Sequence, residues 1–489
     1  MNRSLKKNFV LYFVKQLMSI VFPLITFTYA ARVLGVNGMG AINYSRSVVT
    51  YFTLISGFGI SNYAIREGAR IRDHQELIDK FATEMFLINL FSTMIATIGV
   101  IIVINLSSFV AYKKLLCVFA LMVPFTLIGV EWVYSIFEDY LYITIRAILV
   151  QMISLALLVL MVKSENDLVL YAMITVLATV GSNIFNFIHS RKYVHFFKRN
   201  KCGYDIKKHF VAISTVFLTT LASQIYLNMD VTMVGYMAGD YSSGLYSASN
   251  KLVVTVTTLI SSLRVVLLPR LSYYLRDNST QKQYEKLNEK SLKILLCACI
   301  PLMFGIFCLS SDAIMLFCGA DYLSASFTLR ILVFGMVFST LNGYIVYQIF
   351  MPQKKERIAL CGTVIGAVVN LVANSVLISI WKENGAAVGT VLAEASVFAF
   401  CSVMSGKSIN GWALIKTIVR YLIASIPIAL CCALFGCVID NIFVRIIMSV
   451  LSSVISYAVM LIIMKDDVYV DIIRPQIHSA LTRISHYQH

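Results

Sequence analysis

The chain has 489 residues, 58% of them hydrophobic and only 13% charged, with a net charge of +16. A soluble domain carries roughly 25% charged residues, so water is not the main solvent of this chain. The basic excess does not make a nucleic-acid-binding domain, because the cations stand in short runs between apolar stretches and read as topology signals.

A membrane-crossing helix needs about 20 mostly apolar residues. In chain order, such stretches occur at 8–33, 40–64, 80–105, 114–137, 141–162, 167–189, 210–237, 242–268, 291–318, 323–350, 358–381, 384–405, 416–439 and 441–464. The first lies behind Lys6 and Lys7 as a signal sequence would, but it is too long for one and is read as a retained helix. The expected fold is all-α, a polytopic membrane helical bundle of about fourteen transmembrane helices.

Alternate loops differ sharply in charge. With the N terminus inside, the inner loops and termini hold 28 Lys and Arg, and the outer loops hold 4: Lys113, Lys114, Lys163 and Lys382. Cytoplasmic loops retain cations during insertion, so both termini are expected in the cytoplasm of a cell whose inner membrane the chain spans. The basic connection 191–209 separates an N-terminal lobe, 1–190 with helices 1–6, from a C-terminal lobe, 210–405 with helices 7–12. Helices 13 and 14 follow in 406–464, and 465–489 forms a cytoplasmic tail. The lobes echo one another: Gly35, Gly40, Tyr44 and Arg46 in one answer Gly239, Gly244, Tyr246 and Lys251 in the other, with a register difference of one residue. Internal pseudo-symmetry of this kind is common in transporters.

Charges inside a bilayer cost at least ~2.5 kcal/mol each at its centre and are functional candidates by default. Eight cations (Lys15, Arg46, Arg146, Lys251, Arg264, Arg330, Arg420, Arg445) face four anions (Glu131, Asp230, Asp312, Glu394). For Arg146, Arg264 and Arg445, near span ends, snorkelling or pairing is the simpler reading. Arg46 and Lys251 sit deeper. Lys251 shares a helix face with Ser247, Thr255, Thr258 and Ser262, and Arg46 shares one with Asn43, Thr50 and Thr53, while Lys15 lies on a shorter stripe. Such stripes avoid lipid, so they predict a cationic cavity that suits an anionic ligand, phosphate above all. Gln224, Asn228 and Asp230 add polar groups able to read sugar hydroxyls, although Asp230 could equally neutralise Lys251. Asp230, Glu131 and Glu394 are the candidate carboxylates for a coupling ion.

Other chemistry is thinly represented. Most of the eleven cysteines lie in apolar segments, and none forms a Cys-x-x-Cys pair, so neither a metal site nor a disulfide framework is expected. Gly406-Lys407-Ser408 ends like a P-loop, but Cys401 stands where its first glycine belongs. No cofactor and no enzymatic activity are expected.

Several strings carry a family resemblance: Pro23-Leu-Ile-Thr-Phe, Arg32-Val-Leu-Gly35 with Gly38 and Gly40, the run Gly57 to Glu67, Arg72-Asp73, Gly129-Val-Glu131-Trp132, Gly244-Leu-Tyr246 and Leu268-Pro269-Arg270. In these the chain resembles the Wzx-type polysaccharide flippases of the multidrug/oligosaccharidyl-lipid/polysaccharide exporter superfamily. The resemblance implies a MATE-like bundle of two lobes that opens alternately inward and outward. It implies a substrate as well, an undecaprenyl-pyrophosphate-linked oligosaccharide repeat unit for O-antigen or capsule, carried to the outer leaflet. Membrane lipid is then an expected partner, as are a polysaccharide polymerase and a chain-length regulator. The family's cavity cations fall on Arg46 and Lys251. A peptidoglycan lipid-precursor flippase and a cation-coupled drug exporter are the alternatives, the latter disfavoured by the net positive interior.

Overall fold

The computed structural model describes residues 5–197, 203–274, 281–406 and 409–470, with the backbone alone for 5–17, 263, 265–270 and 272. It divides into two compact units, Met1–Ser247 and Ala248–His489. The first holds α1 (Leu5–Gly57), α2 (Ile60–Ile71), α3 (Gln75–Ile104), α4 (Lys113–Ala120), α5 (Met122–Leu127), α6 (Glu131–Ile136), α7 (Tyr140–Met161), α8 (Leu168–Val180), α9 (Ser182–Ser190) and the start of α10 (Ile206–Tyr274). The second holds the rest of α10 with α11 (Gln281–Cys308), α12 (Ser310–Cys318), α13 (Ala325–Tyr344), α14 (Glu356–Ser405), α15 (Gly411–Val438) and α16 (Ile442–Ile463). Among the described residues there is no strand, as expected where lipid offers no partner to an unpaired backbone group.

Among the described residues, eleven helical stretches are long and apolar enough to cross a membrane. Three of them are each broken once, α1 at Gly35, α10 at Gly239 and α14 at Lys382, which makes fourteen crossing segments. Both glycine breaks have a left-handed φ (68° and 84°) with extended ψ, a conformation that costs glycine little and turns the chain without a loop.

Two expected spans end or break early. The second stops at Gly57, because Phe58 and Gly59 both take positive φ, and α2 follows as a separate amphipathic helix. It buries Ile60, Tyr63, Ala64 and Gly68 and turns Arg66, Glu67 and Arg70 outward. The stretch 114–137 is three short helices instead of one, with Pro124, which lacks an amide N–H, inside α5 and a break at Gly129 before α6. Helices α15 and α16 start at capping asparagines: Asn410 accepts from the Ala413 amide and Asn441 from the Val444 amide, both at 3.2 Å. Within the first unit α1 packs on α3, α5 and α7; within the second α11 packs on α13 and α15, and α13 on α14.

Candidate functional site

The polar residues of α1 and of the first half of α10 meet inside the first unit. Thr232 donates to Ser47 Oγ (2.9 Å) and shares a 3.2 Å hydrogen bond with the Tyr51 hydroxyl. One turn earlier, Asn228 Nδ2 donates to the Gln224 carbonyl (2.9 Å) and to Gln224 Oε1 (3.2 Å). Asp230, 6% exposed, accepts from the Tyr246 hydroxyl at 2.7 Å. Asn43 Nδ2 and Ser247 Oγ are buried with no hydrogen-bond partner among the described residues. Tyr51 and Thr232 are not site candidates in the sequence, where hydroxyls on apolar helices read as packing or helix glue, and Tyr246 stands out there only through the repeat and the family strings.

The serine and threonine stripes are mostly satisfied by their own helices. Thr50 Oγ1 donates to the Arg46 carbonyl (2.8 Å) and Thr255 Oγ1 to the Lys251 carbonyl (2.7 Å). These hydroxyls have given away their protons and can only accept from a ligand.

The intramembrane cations fall into distinct groups. Arg146 Nη2 lies 2.7 Å from Glu131 Oε2, Arg420 Nε lies 3.1 Å from Asp466 Oδ2, and Arg445 pairs with Asp312. Arg330 and Arg264 have no carboxylate partner among the described residues but are held by other groups. Arg330 donates to the hydroxyls of Ser310 (2.6 Å) and Ser311 (3.4 Å) over the Phe307 ring. Arg264, 7% exposed, points at the carbonyls of Ser339 and Thr340 and bonds the Ser261 hydroxyl, with its guanidinium over the Tyr347 ring. Arg46 stands apart: it is exposed, and among the described residues no carboxylate pairs with it, although its charge reaches Tyr171 of α8. Lys251 is half-buried and engaged. The Lys15 side chain lies outside the described residues.

Of the candidate coupling carboxylates, Glu131 is held by Arg146 and Glu394 accepts from Asn342 Nδ2 at 2.7 Å. No group of three or more metal-ligating side chains forms among the described residues.

A second buried polar cluster joins the basic connection to residues of two expected spans. The Tyr63 hydroxyl bonds His209 Nδ1 (2.8 Å), and His209 Nε2 bonds Glu84 Oε2 (3.1 Å), with all three residues at most 9% exposed. Glu84 Oε1 also accepts from the Asp205 amide at 2.7 Å, and Asp79 accepts from the His195 amide at 2.8 Å. These bonds tie the basic connection to α3. No spacing in the sequence announces them, because the partners lie more than a hundred residues apart.

The family model described as "Polysaccharide biosynthesis protein" matches residues 5–275, more than half of the chain. The chain belongs to the polysaccharide biosynthesis protein family. It is 22% identical over 422 residues to a Shigella dysenteriae protein named as an O-antigen transporter, covering 81% of this chain and 98% of that one. Among solved structures, a lipid II flippase MurJ in an inward closed conformation superposes with a TM-score of 0.75 at 19% identity, over 95% of this chain and 100% of that one. An inward-facing multidrug-resistance MATE transporter superposes with a TM-score of 0.61 at 15% identity, over 84% and 99%. At these identities the likeness establishes the fold, a MATE-like multi-pass membrane bundle.

In this polysaccharide biosynthesis family member, several of the resembling strings build structure. Trp132, 4% exposed, meets Phe81 edge to face at 6.4 Å, and both pack with Tyr63, Ala64, Met85 and Ile136 in one apolar cluster. Arg72 closes its edge on Glu138 at 2.9 Å, and that hydrogen bond raises the Arg72 pKa further above its usual value. Trp132 and Arg72 thus hold α2, α3 and α6 together, and Glu131 ties α6 to α7 through Arg146.

Proposed function

We propose that this chain is a flippase for undecaprenyl-pyrophosphate-linked oligosaccharide repeat units, which it carries from the cytoplasmic to the outer leaflet for O-antigen or capsule synthesis. The supporting observation is Arg46. Its fellow arginines Arg146, Arg420 and Arg445 are neutralised by carboxylates, whereas Arg46 is exposed with no such partner among the described residues. An unneutralised guanidinium in an apolar helix favours a ligand that brings its own negative charge, and pyrophosphate accepts in the geometry arginine offers. Family membership and a relative named as an O-antigen transporter support a polysaccharide-related cargo.

In this reading Arg46 and Lys251 each supply a cation to the pyrophosphate. Lys15 assists, and Asn43, Gln224, Asn228, Ser247 and Thr255 supply polar contacts for the saccharide. The lobes 1–190 and 210–405 alternate access around the site, and both termini face the cytoplasm. A substrate with about two negative charges moving outward gains ~2.3 kcal/mol per charge per 100 mV, so the membrane potential contributes to the drive. A coupling ion at Asp230, Glu131 or Glu394 adds to it, and a polymerase and chain-length regulator act downstream.

The test is a deletion strain whose accumulating lipid-linked intermediate is identified by mass spectrometry. A repeat unit on undecaprenyl pyrophosphate is expected. Accumulated peptidoglycan precursor moves the assignment to that substrate, and no lipid-linked intermediate at all refutes the flippase reading. Reporter fusions at Tyr204 and His489 should be active only for a cytoplasmic enzyme.

A further inference from the structure

The glycine repeat has a structural meaning that a substrate site does not absorb. Gly35 and Gly239 break α1 and α10 with nearly the same backbone angles, φ 68°, ψ 178° and φ 84°, ψ −177°. Counted from these breaks, Val36 and Asp240 stand at the same position, one residue on, and Gly40 and Gly244 at the same position, five residues on. The two segments face each other reciprocally inside the first unit. A Cβ on Gly40 would collide with the Asp240 carbonyl oxygen, and a Cβ on Gly244 would collide with the Val36 carbonyl oxygen. Each glycine lies against the carbonyl that opens the opposite segment, which is the signature of a local two-fold relation. Backbones come this close only where no side chain intervenes.

Bulkier groups surround the contact. The Tyr112 hydroxyl donates to Asp240 Oδ1 at 2.8 Å, and its ring meets Tyr44 edge to face at 5.0 Å. Tyr44 in turn lies against Gly235, where a Cβ would strike its ring. Leu34, Met39 and Ser243 are all at most 2% exposed. Two turns further along α1 from Gly40, about 10 Å at 1.5 Å per residue, comes Ser47, bonded to Thr232. By the charge asymmetry of the loops, the Gly35 and Gly239 breaks lie on the outer side, so this contact stands between the outer face and the polar residues beneath it.

We propose that Gly40 and Gly244 form the outer seal of the transport path, a reciprocal glycine–carbonyl contact that must separate for outward opening and can close only while both positions lack a side chain. The proposal rests on the flippase reading and its orientation. It makes these glycines positioning residues, which set the balance between closed and open states and touch no substrate. A merely structural contact would not change accessibility from outside.

The test introduces Ser47→Cys into a variant whose eleven native cysteines are replaced and which still exports. Labelling by a membrane-impermeant maleimide is measured on whole cells with the outer face made accessible. Gly40→Ala and Gly244→Ala should each raise the labelling rate about tenfold, the effect of ~1.4 kcal/mol on the closed state, and abolish export. Gly305→Ala, at a glycine with open space around it, should change neither. Should the alanine variants fail to accumulate, Tyr112→Phe decides: it removes the bond to Asp240 without adding volume and should raise labelling severalfold. Unchanged labelling in the variants that accumulate overturns the seal, whatever happens to export. The readout needs no substrate, so failure of the seal and failure of the substrate assignment are told apart.

Discussion

Arg146 of α7 and Glu131, the first residue of α6, form an ion pair at 2.7 Å, with Arg146 8% and the Glu131 side chain 39% exposed. The guanidinium also lies 5.8 Å from the Tyr142 ring centroid, while its Nε and Nη1 have no hydrogen-bond partner among the described residues. A buried arginine with two idle donors depends on its one carboxylate.

Glu131→Gln should therefore destabilise the protein by ~2–3 kcal/mol, below the ~3–5 typical of a fully buried pair because the carboxylate keeps some solvent. The double variant Glu131→Leu with Arg146→Met should recover most of that loss, since no uncompensated charge remains. Thermal unfolding in detergent, followed by fluorescence-detected size exclusion, measures both. A double variant no more stable than the single one would show that the pair is not the source of the loss. Normal export in a stabilised double variant would remove Glu131 from the coupling carboxylates.

Arg46→Ala and Lys251→Ala should each abolish export at normal protein abundance, and Lys251→Arg should retain part of it. Surface polysaccharide read by immunoblot, against membrane levels of the tagged protein, separates the cases. Full export with either alanine would place that residue outside the substrate path, and loss of protein would make its role structural.

Arg264 depends on Gly343 as Arg146 depends on Glu131, but sterically. A Cβ on Gly343 would occupy the place of the Arg264 guanidinium, which could then no longer lie by the Ser339 and Thr340 carbonyls. Gly343→Ala should destabilise by ~1–3 kcal/mol, the range for overpacking a close-fitted interior. Combined with Arg264→Leu it should cost clearly less than the sum of the two single effects, because both disturb one arrangement. Strict additivity in thermal unfolding would refute the coupling.

Much of this protein is legible in sequence because it depends on local properties. Twenty apolar residues in a row make a crossing wherever they occur, and loop cations orient it, so the all-helical membrane bundle needs no tertiary knowledge. The glycines of the repeat are visible too, although counting from Arg46 and Lys251 puts the halves one residue out of register. Counting from the breaks at Gly35 and Gly239 brings Gly40 and Gly244 into line, and only backbone angles mark the breaks. The sequence also found the eight cations and four anions of its intramembrane set without revealing which were neutralised, and it passed over Glu84 and His209. Asp312 and Arg445 are 133 residues apart, and Glu84 and His209 are 125 apart. Whether such groups meet depends on which helices pack together, and that is not written in the hydropathy of any one helix. Hydropathy therefore identifies what crosses the membrane, while packing alone decides which cations find a carboxylate and which, like Arg46 among the described residues, do not.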